Sequence, residues 1–401
     1  MLWRVFLPFV AGYYVSYAFR SANALLGPQI ASEYGFGAAE LGLLTSVFFL
    51  GVGLVQIPVG VLLDRFGPRR VDASLLLLAA AGALIFANAQ SFAGVVLGRA
   101  LIGLGVSVCL MASFQAFLLW YPRERIATLN SMAFAIGILG AMTVSVPLET
   151  ALRVVDWRTV MLVFAGATLV VSGTIYLAAP EYERRESQGS LGAALQLVRT
   201  IVADSAFRRA AVMISTSQCA AVALYTLWIA TWLRDVAGYD RPAVGRALLV
   251  VSLALIAGYL VFGRAADAIT RRGKSELPLV AAGLGLSSAC LLALALGATR
   301  GALALWAIFI FSSSAATLAY SAVSKRFPRE MAGRVNTTLN TFVFTGMFLG
   351  QWGVGLILER WPATASGYAP QAYSWALGAL WAVQLLGLAW YWRSRSAEAK
   401  R

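Results

Sequence analysis

Two arginines lie inside long apolar runs of the sequence, where a charged side chain needs a reason to be present. Arg20 falls in the run 3–27 and Arg99 in the run 92–119. A charge at the centre of a membrane span costs on the order of 2.5 to 3.5 kcal/mol on insertion scales. A guanidinium, however, presents a planar fork of donors that matches a carboxylate or a phosphate. Arg20 is therefore the first candidate for contact with an anion. Two alternatives stay open, in which Arg20 reaches the lipid headgroups or pairs with Glu33.

Carboxylates are missing from the middle of the apolar runs. All 18 acidic residues fall at run ends, in the connections or in the tail, and those closest to membrane depth are Glu33, Asp72 and Glu149. Glu149, which follows Pro147 at the end of a run, is the least unfavourable candidate for a proton carrier. The sequence therefore predicts no obvious carrier of a coupling proton.

Catalytic and metal-binding chemistry has no support in the residue types. The chain contains no His, which removes the commonest general base and the commonest metal ligand. Cys109, Cys219 and Cys290 lie in apolar runs without ligand spacing and are interpreted as small core residues. No catalytic residue, metal site or cofactor is predicted. A membrane-embedded enzyme is disfavoured, because no acidic or metal-binding cluster lies among the runs.

The composition places the chain in a lipid bilayer. Of the 401 residues, 60% are hydrophobic and 12% are charged, which is far from the mix of a soluble domain. The net charge of +14 comes from short basic clusters between apolar runs, so nucleic-acid binding is not expected. Apolar runs of about twenty residues predict twelve transmembrane helices. Their approximate bounds are 3–27, 38–62, 71–89, 92–119, 127–150, 157–179, 209–233, 242–266, 277–297, 301–323, 333–358 and 372–392.

A short basic turn occurs twice in the chain, at 60–70 and at 263–274. Both copies contain a Gly-x-x-x-Asp step followed by an Arg pair. The segments 121–124 and 327–330, Tyr-Pro-Arg-Glu and Phe-Pro-Arg-Glu, repeat at nearly the same offset. This repetition predicts an all-α membrane protein made of two pseudo-symmetric six-helix bundles. The expected domains are 1–180 and 209–401, joined by a cytoplasmic linker, 181–208, with an amphipathic surface helix.

Polar side chains on several runs could line a path for a small molecule. Buried hydroxyl and amide groups need partners, and a hydrated path or helix-to-helix hydrogen bonds would supply them equally well. Beside Arg20, the candidates for substrate binding are Tyr17, Asn23, Gln115, Gln218, Tyr225 and Asn340.

Basic residues cluster in alternate connections and near both termini. This bias predicts that both termini are cytoplasmic, in a cell inner (plasma) membrane. Cleavage after the small residues 22–24 is an alternative, although it would leave five spans facing six. The expected partners are the lipid bilayer, a small-molecule substrate and a coupling proton or counter-anion, and the chain is expected to act as a monomer.

The turns and two shorter motifs resemble those of the major facilitator superfamily. The turn 60–70 is similar to that family's loop motif between spans two and three, and the segment 97–103 resembles its fourth-span arginine motif. Asp156, Trp157 and Arg158 match the usual start of span six. The resemblance covers essentially the whole chain. It implies two six-helix halves that rock about a central site, and a structural or coupling role for Arg99.

The resemblance also implies a gating role for the basic turns. Gly60 would let two helices approach closely, and Asp64 would lie near the free amides at the start of span eleven. A simpler interpretation is that the arginines of the turns only set the topology. The candidates for coupling or gating are Gly60, Asp64, Arg65, Arg69, Arg99, Glu149, Asp267 and Arg271.

Within that family, the segments 19–23, 46–49 and 56–60 look most like the branch that moves organic anions together with cations. The branch commonly has a glutamate seven residues after the fourth-span arginine, where this sequence has Val106. Its scheme of proton coupling is therefore in doubt here.

The expected function is secondary transport of a small organic anion, with a carboxylate favoured, by alternating access. Exchange, facilitated diffusion and coupling through the substrate's own proton stay as open as classical symport. The alternatives are export of amphipathic compounds or drugs and, from another class, a membrane protein that senses a ligand without moving it.

Overall fold

The computed structural model describes residues 1–144, 146–152, 154–181, 191–328, 331–364 and 367–398, and these are almost entirely helical. The α-helices are α1 (Leu7–Tyr34), α2 (Ala38–Leu54), α3 (Gln56–Asn88), α4 (Phe92–Val106), α5 (Cys109–Trp120), α6 (Arg123–Thr143), α7 (Val146–Ala151), α8 (Trp157–Ala178), α9 (Leu191–Ala203), α10 (Ser205–Ala223), α11 (Ile229–Asp235), α12 (Arg241–Arg271), α13 (Leu277–Ala295), α14 (Ala302–Ser313), α15 (Leu318–Ser324), α16 (Ala332–Leu358) and α17 (Pro370–Glu398). Short π-helical segments at Leu2–Phe6 and Leu224–Trp228 and a 3-10 segment at Ser314–Thr317 continue neighbouring helices. The predicted all-α class is confirmed.

Nine helical stretches of the described chain are long and apolar enough to cross a membrane. They are Gln56–Asn88, Phe92–Trp120, Trp157–Ala178, Ser205–Asp235, Pro242–Arg271, Leu277–Ala295, Ala302–Ser324, Gly333–Leu358 and Pro370–Arg393. Each coincides with one or more of the apolar runs. The predicted total of twelve spans is not reached by this criterion and stays a prediction.

The chain forms two compact units. The first contains Met1–Phe36 and Val47–Gln196, and the second contains Gly37–Ser46 and Leu197–Arg401. In the first unit α3 packs on α4, α5 and α8, and α1 packs on α5, α6 and α8. In the second unit α10 packs on α16 and α17, and α13 packs on α14 and α17. The predicted domain bounds stay predictions.

The helix α9 lies in the predicted linker. Ala194 and Ile201 are buried, whereas Leu195 is 53% exposed. The exposure of Leu195 leaves this apolar side chain accessible to a membrane surface. The docking of this helix on lipid stays a prediction.

Gly67 divides α3 into two helices joined by a sharp turn. Its backbone has φ 75° and ψ 163°, a region that glycine adopts without the steric cost of a side chain. Pro68 follows and cannot donate the backbone hydrogen bond that would continue the first helix. Both residues are buried. The basic turn at 60–70 therefore breaks the helix at Gly67.

A glycine sets the distance between α3 and α4 and thereby positions Arg99. A Cβ atom on Gly98 would lie 2.6 Å from the Phe86 nitrogen and 2.7 Å from the Gly82 oxygen. Small residues let membrane helices approach to backbone contact. The side chain of the next residue, Arg99, therefore enters the unit at a fixed depth.

Candidate functional site

Arg20 lies on α1 with its guanidinium beside two aromatic rings. Its Cζ atom is 5.8 Å from the ring centre of Tyr17 on the same helix and 5.3 Å from that of Phe49 on α2. The side chain is half-buried, and no ion pair joins it to a carboxylate of the described residues. A guanidinium against aromatic faces is held in place without losing its N–H donors. Arg20 is thus a partly desolvated cation whose donors can still meet an anion.

Glu33, the proposed alternative partner of Arg20, is engaged elsewhere. Its two carboxylate oxygens accept hydrogen bonds from the Arg158 guanidinium at 2.5 Å and 3.1 Å. The Trp157 indole N–H donates to the same carboxylate at 2.8 Å. This bidentate pair joins the end of α1 to the start of α8. The alternative in which Glu33 neutralises Arg20 is therefore wrong, and the headgroup alternative stays a prediction.

Arg99 has a different environment. Its side chain lies in the interior, at 3% exposure, and its Nη1 donates to the Phe19 carbonyl at 2.9 Å. Its Cζ atom lies 4.7 Å from the Phe48 ring centre. Arg99 therefore ties α4 to α1 at the residue just before Arg20, which suits the structural role that the sequence suggested.

The other candidates of the first unit are brought only partly together. Tyr17 contacts Arg20, and its ring meets Tyr13 edge-on at 5.0 Å. Asn23 lies on the same helix and is 1% exposed. Gln115 lies on α5, where its Nε2 donates to the Leu63 carbonyl at 3.4 Å. Tyr17 and Arg20 thus form one local group, to which Gln115 contributes no contact.

The candidates of the second unit take part in hydrogen bonds between helices. The Tyr225 hydroxyl lies 3.1 Å from the Ser252 hydroxyl of α12, and the Tyr320 hydroxyl donates to Asn340 Oδ1 at 2.7 Å. Gln218 is half-buried on α10. Tyr225 and Asn340 therefore serve helix packing in this state, and their contact with a substrate stays a prediction.

The first basic turn is fixed to the end of α8. Arg69 donates from Nε to the Tyr176 carbonyl at 2.7 Å and lies over the Tyr176 ring, and Arg70 pairs with Glu181. A cation near the free carbonyls of a helix C-terminus is favourable. Asp64 and Arg65 are exposed, and their gating role stays a prediction.

The expectation that Gly60 permits a close helix approach is not met. A Cβ atom at Gly60 would meet no atom of the described residues within 4 Å. The glycine that the turn requires is Gly67, because of its positive φ. The Gly-Pro pair at 67–68 is the sequence signal that could have placed it.

The second basic turn is held by a carboxylate that the sequence did not single out. Glu276 is 5% exposed, accepts a hydrogen bond from Thr270 at 2.5 Å and pairs with Lys325 at 2.6 Å. The candidates Asp267 and Arg271 are exposed on the preceding helix. Glu149 belongs to α7, but its side chain lies outside the described part of the structure.

Asp235 is another carboxylate that sequence reasoning missed. Its side chain is fully buried at the end of α11 and accepts hydrogen bonds from the Tyr368 amide at 3.1 Å, the Tyr373 hydroxyl at 2.9 Å and Arg234 Nε at 2.7 Å. Burial raises the pKa of the Tyr368 phenol, so that side chain stays neutral beside the carboxylate. Asp235 thus anchors the connection between α16 and α17. Tyr368 and Tyr373 lie far from Asp235 in sequence, so no local signal marks this role.

An apolar recess of about 350 Å³ lies in the first unit between α1, α6 and α8. Tyr14, Ile136 and Val171 are among its lining residues. It includes none of the candidate substrate contacts, and its apolar walls do not suit an anion. Among the described residues, no group of three or more His, Cys, Asp or Glu could hold a metal ion.

The fold of the chain is similar to that of solved membrane transport proteins. The chain is similar to a bacterial homologue of the human lysosomal transporter Spinster in an inward-facing, occupied conformation. The TM-score is 0.73 and the sequence identity is 17%, over 99% of this chain and 97% of the other. The model of the Major Facilitator Superfamily matches residues 9–351. The chain therefore belongs to this superfamily and is a multi-pass membrane protein.

Curated relatives differ in the cargo that their names give. A probable sulfoacetate transporter of Cupriavidus necator is 22% identical over 65% of this chain and 64% of its own length. A probable L-galactonate transporter of Escherichia coli is 26% identical over 69% and 64%. A quinolone resistance transporter of Acinetobacter baumannii is 23% identical over 88% and 87%. The chain spans only 21%, 64% and 41% of the first curated relatives it matches.

Proposed function

We propose that the chain carries a small organic anion, a carboxylate, across a cell inner membrane by alternating access of two six-helix halves. In this proposal both termini lie in the cytoplasm, and Arg20 is the principal contact of the anion. Tyr17 and Asn23 complete the contact surface on α1.

The observation that carries the proposal is the environment of Arg20. The guanidinium is half-buried between the rings of Tyr17 and Phe49 and has no carboxylate partner among the described residues. A cation removed from water without a counter-charge is unfavourable, and an anionic guest would relieve that cost. Charge-assisted bidentate hydrogen bonds would also orient a carboxylate.

Two relatives support the choice of cargo. Their names give sulfoacetate and L-galactonate as substrates, and both molecules are small anions that carry a carboxylate. Their identity to this chain is low, so the class of cargo is taken from them and the particular molecule is not.

Thermal unfolding of the purified protein tests the proposal. Sulfoacetate and L-galactonate serve as anionic probes, and galactose as a neutral one. A ligand at a hundred times its Kd adds about 2.7 kcal/mol to the free energy of unfolding. We expect an anionic probe to raise the midpoint of thermal unfolding of the wild type and to leave that of Arg20→Ala unchanged.

The matched control is Arg246→Ala, which removes an arginine from an exposed position on α12. This variant should keep the wild-type response to the anionic probes. A response to galactose alone, or an anion response that survives in Arg20→Ala, would refute the assignment of Arg20 to an anion.

Export of amphipathic drugs is the second candidate, because the quinolone resistance relative aligns with most of both chains. A fluoroquinolone added to the same assay separates the two functions. If the chain exports drugs, the fluoroquinolone should raise the midpoint of thermal unfolding of both wild type and Arg20→Ala, and the anionic probes should raise neither midpoint.

A further inference from the structure

Asp72 is a fully buried carboxyl group in the first unit. It lies on α3, five residues after the break at Gly67, and is 0% exposed. At 1.5 Å of rise per residue it is about 7 to 8 Å along the helix from the break. Neither carboxyl oxygen has a hydrogen-bond partner among the described residues.

The walls around Asp72 come from four helices and are apolar. A Cβ atom on Gly12 of α1 would lie 3.5 Å from Asp72 Oδ2 and 3.6 Å from both Leu76 on α3 and Ile175 on α8. The Cys109 thiol of α5, which is only a weak hydrogen-bond donor, lies beside the carboxyl group. Among the described residues, it is the titratable group in contact with Asp72.

The polar and basic side chains on these helices are directed elsewhere. Arg69, one turn before Asp72 on α3, is bound to Tyr176 of α8, and Arg99 of α4 is bound to the Phe19 carbonyl of α1. The Ser172 hydroxyl of α8 donates to the Ala73 carbonyl at 2.8 Å. No basic residue of the described chain pairs with Asp72.

An ionised carboxylate in this buried place would have no counter-charge among the described residues, and the weak thiol donor of Cys109 would be its one neighbouring hydrogen-bond donor there. Under these conditions a group takes up a proton and becomes neutral. We propose that Asp72 is a proton-binding site of this transporter. The site is loaded in the state described here and releases its proton in a state of the cycle in which water reaches the carboxyl group.

This inference rests on the proposed function and names its coupling ion. Protonation converts the carboxylate to a carboxylic acid with no other bond made or broken. A proton that is bound in one state and released in another can be moved with the anion, so a pH gradient can drive accumulation. The sequence placed Asp72 at the end of an apolar run, among the acidic residues closest to membrane depth, and packing by the neighbouring helices buries it fully.

Infrared spectroscopy of the purified protein at neutral pH tests the site without any substrate. The wild type should show the carbonyl stretch of a protonated carboxylic acid, and aspartate labelled with carbon-13 should shift it. Asp72→Asn, which has the shape of the neutral acid, should lack the band. Asp267→Asn, an exposed carboxylate on α12, should keep it. Unlabelled wild type without the band would overturn the proposal, as would its persistence in Asp72→Asn.

Uptake into vesicles then tests coupling, with L-galactonate and sulfoacetate as probes. An inward proton gradient of one pH unit should drive up to about tenfold accumulation by the wild type if one proton moves per anion. Asp72→Asn should lose accumulation but keep exchange of labelled for unlabelled anion. Equal accumulation by both would overturn the coupling role. If neither probe enters wild-type vesicles, the anion proposal fails, while the infrared comparison still decides whether Asp72 holds a proton.

Discussion

Arg20 and Arg99 lie in the same helical unit, but their guanidinium groups have different surroundings. Arg99 is buried, donates to the Phe19 carbonyl and lies over the Phe48 ring. Arg20 lies beside Tyr17 and Phe49 and is only half-buried. The contrast supports a packing role for Arg99 between α4 and α1, and it is consistent with our proposal that Arg20 contacts an anionic substrate.

Substitution of Arg99 tests this division at the residue scale. Arg99→Met keeps most of the volume and removes a buried charge, so its thermal midpoint should stay close to that of the wild type. Arg99→Ala should lose about 2 to 5 kcal/mol, because it leaves a cavity between helices. Fluorescence-monitored unfolding in detergent measures both. A methionine variant as unstable as the alanine variant would mean that the hydrogen bond to Phe19, not the volume, is what matters.

The contact between α3 and α4 operates at the scale of elements. Gly98→Ala would place a methyl group against the backbone of Phe86 and Gly82, and overpacking of this kind costs about 1 to 3 kcal/mol. We expect a lower thermal midpoint and less folded protein. Gly166→Ala is the matched control, since its Cβ atom would meet none of the described atoms within 4 Å. Equal stability of the two variants would show that α3 and α4 can move apart without a loss of folding free energy.

The anchor at Asp235 makes a second prediction at this scale. Asp235→Asn keeps the shape but weakens the charge-assisted hydrogen bonds to the Tyr368 amide and the Tyr373 hydroxyl. Amide hydrogen exchange at Tyr368 should become about tenfold faster, the equivalent of about 1.4 kcal/mol. Exchange elsewhere on α17 should change less. An unchanged rate at Tyr368 would remove Asp235 from the anchoring of this connection.

At the scale of the whole molecule, the apolar runs and the repeated turn were enough to predict a helical membrane protein, and the resemblance of its motifs to a known superfamily added the expectation of transport. Those features are local in sequence. A run of twenty apolar residues, or a turn with a Gly-Pro pair, can be recognised without knowing how the helices pack. The environment of Asp72 could not be predicted in the same way. Its burial depends on Gly12, Cys109 and Ile175, which come from three other helices.

The partners of Glu33 were beyond sequence reasoning for the same reason. Arg158 lies more than a hundred residues away, and only packing of α1 on α8 brings the two side chains together. Arg20 was singled out as a charge in an apolar run, but its aromatic neighbour Phe49 comes from α2 and could not be foreseen. Residue types thus indicated where chemistry could occur, and the packing of helices determined which groups were already paired.

Direct uptake of a labelled anion tests the central claim, that this chain moves a small carboxylate by means of Arg20. Purified protein in lipid vesicles is given labelled L-galactonate or sulfoacetate, with wild type, Arg20→Ala, Arg20→Lys and Arg246→Ala compared. We expect uptake by wild type and Arg246→Ala, loss in Arg20→Ala, and weaker uptake in Arg20→Lys, which keeps the charge but not the bidentate fork. Wild-type rates from Arg20→Ala vesicles would contradict this claim.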